Sequence, residues 1–194
     1  MSTRDRLVDA TRELLWERGY AATSPRDILD RAAVGQGSLY HHFSGKAELA
    51  LEVLEGNRDA MVSSGDGYFS AAGTVFDRIS AYLLRERDPL KGCRMGRMTE
   101  DHQVMGDDEL RRPVDDTFTW YREHLTALLG EGQRSGEFVP SFTPANVAAA
   151  VVATLQGGYV LAKAADSPTP YTEAITGVLE LLSAQRSAIE RPAR

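Results

Sequence analysis

Two short amphipathic segments, residues 25–32 and 36–43, lie only three residues apart, and this pair constrains the chain more than any other feature. Ser24-Pro25-Arg26-Asp27 is a strong helix start. Ser24 can cap, Pro25 suits the first helical position, and Asp27 places an acid in the first turn. Ile28, Leu29 and Ala32 fall on one face of the helix it opens, and Gly35 closes the segment. Gln36–Phe43 reads as a second short helix, broken by Ser44-Gly45. Before the pair, residues 4–18 carry Leu7, Val8, Thr11, Leu14 and Leu15 at helical spacing, and Gly19 terminates that helix. A longer helix follows from Lys46, with Leu49, Val53 and Leu54 on its apolar side. Two short helices joined by so tight a turn have helix-turn-helix dimensions.

The rest of the chain is also helical in pattern. Ser63-Ser64-Gly65-Asp66-Gly67 predicts a flexible break. Helical spacing resumes at Val75, Ile79, Tyr82 and Leu83, and Asp88-Pro89 and Gly92 interrupt it again. A short segment spans 93–104. A long helix then starts at Asp107 or Asp108 and ends near Gly136. Thr143-Pro144 opens a helix to about Ala165, and Ile175, Val178, Leu179 and Leu182 mark the last one. The expected fold is all-α with about nine helices. A three-helix helix-turn-helix domain over 1–48 precedes a larger helical domain over 49–194, and the tail 187–194 is expected to fray.

With 194 residues and 42% apolar composition the chain can bury a core. Its 22 basic and 28 acidic residues give a net charge of −6, which excludes a polybasic coat but not a locally suitable docking face. A single cysteine, Cys93, excludes an internal disulfide and a multi-cysteine zinc site, and fits a cytoplasmic protein. The uncharged stretch 138–162 is broken by Pro140, Pro144, Asn146 and Gln156, so it reads as a loop and a buried helix, with no membrane partner expected. Gly65-Asp66-Gly67 lacks the rest of a phosphate-binding fingerprint, and no nucleophile motif accompanies it, so an enzyme is not expected. Glu100, Asp101 and His102 are consecutive. Consecutive helical side chains diverge by about 100°, so no metal and no cofactor are expected there.

The run Gly19-Tyr20-Ala21-Ala22-Thr23-Ser24-Pro25-Arg26-Asp27-Ile28, followed by Ala32-Ala33-Val34-Gly35-Gln36-Gly37-Ser38-Leu39-Tyr40-His41-His42-Phe43-Ser44-Gly45-Lys46, resembles the DNA-binding signature of the TetR family of bacterial repressors. The resemblance spans about residues 4–54. It implies that Ser24, Arg26, Gln36, Gly37, Ser38, Tyr40, His41 and Lys46 contact double-stranded DNA. The chemistry agrees, since glutamine can bond adenine bidentately and tyrosine can donate to phosphate. Lys46 joins a cation to free amides at a helix start. Leu39 and Phe43, four apart, are expected to face the core. Two residues depart from the family pattern. Ala33 stands where a glycine is usual, which predicts a strained turn, and Gln36 stands where a lysine is usual. The first 58 residues hold 8 basic and 9 acidic side chains, so affinity is expected from geometry and dimerisation rather than from a large positive field.

The resemblance also implies that the larger domain forms a homodimer and holds a small-molecule effector. Ala149, Ala153 and Gly157, spaced by four, can admit a close helix, and Val178 and Leu182 suit the other half of an intersubunit bundle. Candidate pocket residues are Phe76, Leu83, Met95, Met98, Met105, Phe118, Tyr121, Leu125 and Tyr159, with His102 as a further polar anchor. Lys91-Gly92-Cys93-Arg94-Met95-Gly96 resembles an element of one branch of the family. There Cys93 is expected to pack, with a pocket wall or an electrophile sensor as alternatives. The expected function is a homodimeric repressor released from an inverted-repeat operator by a small, largely apolar ligand. The alternatives are redox control through Cys93 and a DNA-binding regulator without a ligand.

Overall fold

The computed structural model describes residues 1–187, which form ten helices and two compact units. Helices α1 (Thr3–Arg18), α2 (Pro25–Ala32) and α3 (Ser38–His42) precede the long α4 (Lys46–Phe69). The first unit takes these three helices, α4 as far as Met61, and a returning stretch from Cys93 to Thr117. That stretch contains α6 (Arg94–Met98), α7 (His102–Met105) and the start of α8 (Asp108–Arg134). The second unit holds the end of α4, α5 (Val75–Leu84), the rest of α8, α9 (Pro144–Ala165) and α10 (Thr169–Ala184). The compact units therefore do not follow the division expected at residue 48.

Local chemistry fixes the helix starts. Ser2 with Asp5, Ser24 with Asp27, and Thr74 with Asp77 form reciprocal capping boxes at α1, α2 and α5. α2 begins and ends where its caps predict. α3 starts two residues later than its pattern suggests, because the Ser38 amide donates to the Gly35 carbonyl at 2.9 Å in a turn, leaving Gly37 as the cap. Leu7, Leu14, Leu15, Ile28, Leu39, Leu49, Val53 and Leu54 form the interior of the first unit.

The expected break at Ser63–Gly67 does not occur, and α4 runs through it to Phe69. Gly65 is a packing glycine. A Cβ there would lie 2.7 Å from the Trp120 indole and 2.8 Å from the Tyr121 ring, so its absence lets α4 approach α8. The segment 93–104 divides into the two short helices α6 and α7, which brings the total to ten.

In the second unit the buried Glu137 carboxylate accepts the Val75 and Phe76 amides at 2.8 and 2.7 Å, tying the end of α8 to the start of α5. By length and composition α9 is apolar enough to cross a membrane. Here it buries Ala148, Val151, Leu155, Tyr159 and Ala162 within the unit. The helix expected to be buried is so along one side. Ala149, Ala153, Val160 and Leu161 face outward, because a one-sided stripe suffices to pack on α10. Phe138 bridges to Arg186, and the Ser187 amide donates to the Glu137 carbonyl at 2.8 Å, so Ser187 is tied down. Residues 188–194, the remainder of the tail expected to fray, lie outside the described residues.

Gly65→Ala should destabilise the protein by about 1–3 kcal/mol through overpacking. Gly56, also in α4, meets only ordinary contact at 3.8 Å, so Gly56→Ala should stabilise by up to about 1 kcal/mol. Chemical denaturation of both variants checks the contrast, and equal effects would restore the reading of 63–67 as a break.

Candidate nucleic-acid interface

The first unit is built to hold α3 by its apolar side. Leu39 and Phe43 are buried, as their spacing predicts, and the Arg4 guanidinium lies 5.2 Å from the centre of the Phe43 ring. The opposite side of the segment is exposed. Gln36, Gly37, Tyr40 and His41 face outward, Tyr40 at 64% exposure, and Ser38 is half-buried. His42 is half-buried and meets His41 edge-on at 4.8 Å.

Both turns of the three-helix unit are held by side chains from outside them. Between α2 and α3, Ala33 adopts the left-handed conformation with φ 51° and ψ 50°. An L-residue there costs about 1–2 kcal/mol, which is the strain the sequence predicts for alanine in place of glycine. The Arg6 guanidinium donates to the Ala32 and Ala33 carbonyls and pins this turn to α1. Ion pairs Arg31–Glu17 and Arg18–Asp27, at 2.8 and 3.2 Å, tie α2 to α1 as well. Hydrogen bonds from Ser24 hold the Asp27 carboxyl below the usual carboxylate range.

The turn between α1 and α2 is gripped from two sides. Lys46, the first residue of α4, donates to the Tyr20 and Thr23 carbonyls at 3.1 and 3.0 Å and lies 3.8 Å from the centre of the Tyr20 ring. Burial pushes its ammonium pKa down, against the pull of the Asp101 charge. Two of its three N–H groups are thus committed to the protein. On the other side, the Asp101 carboxylate accepts the Ala21 amide at 2.8 Å, and the Gln103 and Val104 amides at 3.1 and 3.3 Å. Burial alone would push its pKa up, but bonds from the amides of Ala21, Val104, Gln103 and Tyr20 hold it below the ordinary value. Sequence reasoning weighed Asp101 only as a metal ligand. Its position just before a short helix was the available sign of capping; its hold on the turn had no local sign.

The remaining polar candidates stand at the edges of this unit. Ser24 is exposed and occupied as the α2 cap. The Arg26 side chain is 90% exposed and pairs loosely with Asp30 at 3.8 Å. Cys93 caps α6, its sulfur accepting the Gly96 amide at 3.3 Å. The cations that flank it are engaged elsewhere: Arg94 bonds Glu13 at 2.9 Å and Arg97 bonds Glu100 at 3.0 Å. Among the described residues no three His, Cys, Asp or Glu side chains converge as metal ligands would.

The effector candidates divide between the units. Met95, Met98, His102 and Met105 belong to the first; the methionines at 95 and 98 are buried, Met105 is half-buried and His102 is exposed. Phe76, Leu83, Phe118, Tyr121, Leu125 and Tyr159 belong to the second, with Leu83, Tyr121, Leu125 and Tyr159 buried. Tyr121 joins an aromatic cluster with Phe69, Tyr82 and Trp120. An open cleft of about 630 Å³ between α8 and α9 is lined by Arg122, Glu123, Thr126, Ala127, Ala145, Asn146 and Ala149, and includes none of the eleven pocket candidates.

Of the dimer candidates, Ala149 and Ala153 are exposed, and open space lies over Gly157. Val178 and Leu182 are buried within their own protomer, because α10 turns that side inward. Its accessible residues include Gly177, with open space over it, and Leu181, which is 71% exposed, beside exposed Thr172, Glu173, Thr176 and Glu180.

Residues 7–53 match the family profile described as "Bacterial regulatory proteins, tetR family", and residues 74–178 match the "Tetracyclin repressor-like, C-terminal domain". The chain belongs to the TetR family. This TetR-family protein is a DNA-binding transcriptional regulator and not an enzyme. It is 26% identical over 174 residues to an uncharacterised HTH-type transcriptional regulator of Lactococcus lactis subsp. lactis, covering 84% of each chain. It is 27% identical over 171 residues to the transcriptional regulator AcuR of Cereibacter sphaeroides, covering 84% of this chain and 78% of that one. A TetR transcriptional regulator from Chloroflexus aurantiacus superposes with a TM-score of 0.82 at 27% identity, over 95% of this chain and 96% of that one.

Ala33→Gly should relieve the left-handed strain and raise the melting temperature by about 2–4 °C, as about 1 kcal/mol does for a chain of this size. An unchanged or lower melting temperature would show that the α2–α3 turn carries no such strain.

Proposed function

We propose that this TetR-family regulator is a homodimeric repressor that binds an inverted-repeat operator and releases it on binding a small, largely apolar effector. The observation that carries the dimer is the outward face of α9 and α10. It presents Ala149, Ala153, Val160, Leu161 and Leu181, with open space over Gly157 and Gly177. Exposed apolar surface beside small residues favours a helix-to-helix interface. A two-fold dimer sets two recognition helices about 34 Å apart or somewhat more, in successive major grooves, and so prefers an inverted repeat.

In this reading α3 enters the groove by its exposed side. Gln36, Gly37 and Ser38 meet base edges, Tyr40 and His41 reach bases or phosphate, and Ser24, Arg26 and the third N–H of Lys46 meet the backbone. The unit has few unpaired cations, so the protein relies on two correctly spaced α3 helices. The effector is apolar because its candidate lining is, with Tyr121, Tyr159 and His102 as polar anchors. It acts by favouring a conformation in which the two recognition helices no longer match one DNA turn, each three-helix unit moving as a rigid piece.

Leu181→Glu places a charge on the proposed interface, and Gly157→Leu fills its closest approach. Each should shift sedimentation from dimer to monomer and weaken binding to an inverted repeat at least tenfold, with little effect on a single half-site. Gln36→Ala should reorder base preference at one position per half-site by about 1–3 kcal/mol. Variants that remain fully dimeric, or an unchanged ranking of sequences, would contradict the respective assignments.

A further inference from the structure

The segment 93–107 is fastened to the DNA-binding helices at two points. Arg94 bonds Glu13 at 2.9 Å and lies 4.2 Å from the centre of the Trp16 ring, both on α1. Asp101 supplies the second point. A residue that merely capped α7 would need only the Gln103 and Val104 amides. Asp101 spends its other oxygen on the Ala21 amide, eighty residues away in sequence. Asp101 is only 8% exposed, and its carboxylate accepts the Ala21, Gln103 and Val104 amides.

The turn is shaped for this guest. Gly19 has φ 86°, and a Cβ on it would sit 2.9 Å from the Asp101 Oδ2. On the far side the Lys46 ammonium holds the Tyr20 and Thr23 carbonyls. The peptide group between Tyr20 and Ala21 therefore donates to a carboxylate through its N–H and accepts from an ammonium at its carbonyl. Thr23 closes the turn, its hydroxyl donating to the Gly19 carbonyl at 2.7 Å, and Ser24 next caps α2. The place where α2 starts, and the seat of Lys46, both follow from this turn.

We propose that Asp101 is a positioning residue for DNA binding: through the Ala21 amide its carboxylate holds the α1–α2 turn, and with it the start of α2 and the Lys46 side chain, in the geometry that reads DNA. The proposal rests on the first unit being the DNA-reading one and needs neither an effector nor a particular dimer. An Asn side chain is nearly isosteric but turns an NH₂ group toward N–H donors or presents a neutral oxygen to them. It weakens the hold on the turn while every basic residue remains in place.

The test uses the full chain and a duplex selected from a random pool by the wild-type protein. Well below its melting temperature, Asp101→Asn should bind the selected duplex at least tenfold more weakly. Its affinity for a random duplex of equal length should change less than twofold, and the Ala21 amide should exchange with solvent at least tenfold faster. Loss of stability alone would not separate the two duplexes. In the wild-type protein, adding the selected duplex should slow Ala21 exchange at least tenfold, an arm that needs no variant. Affinity for the selected duplex within twofold of wild type, or Ala21 exchange indifferent to both the substitution and the duplex, would overturn the proposal. A wild-type protein that selects no sequence at all would instead refute DNA reading by the first unit.

Discussion

The peptide group between Tyr20 and Ala21, held at its N–H by Asp101 and at its carbonyl by Lys46, is the constraint on which the DNA-reading part of this regulator rests. A turn has no periodic hydrogen bonds of its own, so its geometry must come from neighbours. Here the neighbours are two opposite charges from different parts of the chain, one before a short helix and one at the start of a long one. Charge-assisted hydrogen bonds are roughly twice as strong as neutral ones, so the pair can hold a turn that water would otherwise loosen. The same grip takes up much of the Lys46 side chain, which makes it a structural cation as well as a candidate phosphate contact.

The second unit repeats the device. Glu137, also buried, serves the first amides of α5. Both carboxylates accept backbone amides and so join segments remote in sequence. Losing such a carboxylate leaves buried N–H donors without partners, at about 1–3 kcal/mol each. Meanwhile the exposed ion pairs, such as Arg26 with Asp30, add little. The fold is thus stapled at a few buried points and otherwise held by apolar packing.

What the sequence made legible was local. The capping box at Ser24 fixes the start of α2, and Pro144 opens α9 in its first turn although the Thr143 side chain makes no capping bond. The inward turn of Leu39 and Phe43 followed from spacing alone. What escaped was set by partners far along the chain. Gly65 reads as a break until Trp120 and Tyr121 are seen against it. Val178 and Leu182 have the spacing expected of an interface, and α10 buries them within the protomer while their sequence neighbours Gly177 and Leu181 stay accessible. One residue is about 100° of helix, and only packing decides which side is inside. Asp101 was legible as a carboxylate but not as the partner of a turn eighty residues earlier.

The chain leaves the second unit at Gly92, threads the first as 93–117, and returns at Phe118. The two units are therefore covalently joined on both sides of 93–117 and within α4. If an effector releases the operator, linkage requires that operator DNA weaken effector binding by the same factor. The direct measurement is calorimetric titration of an effector, found by thermal-shift screening, into the free protein and into its operator complex. The account predicts affinity lower in the complex by about 5–150-fold, the usual range of allosteric coupling. Equal affinities in the two titrations would contradict ligand-released repression.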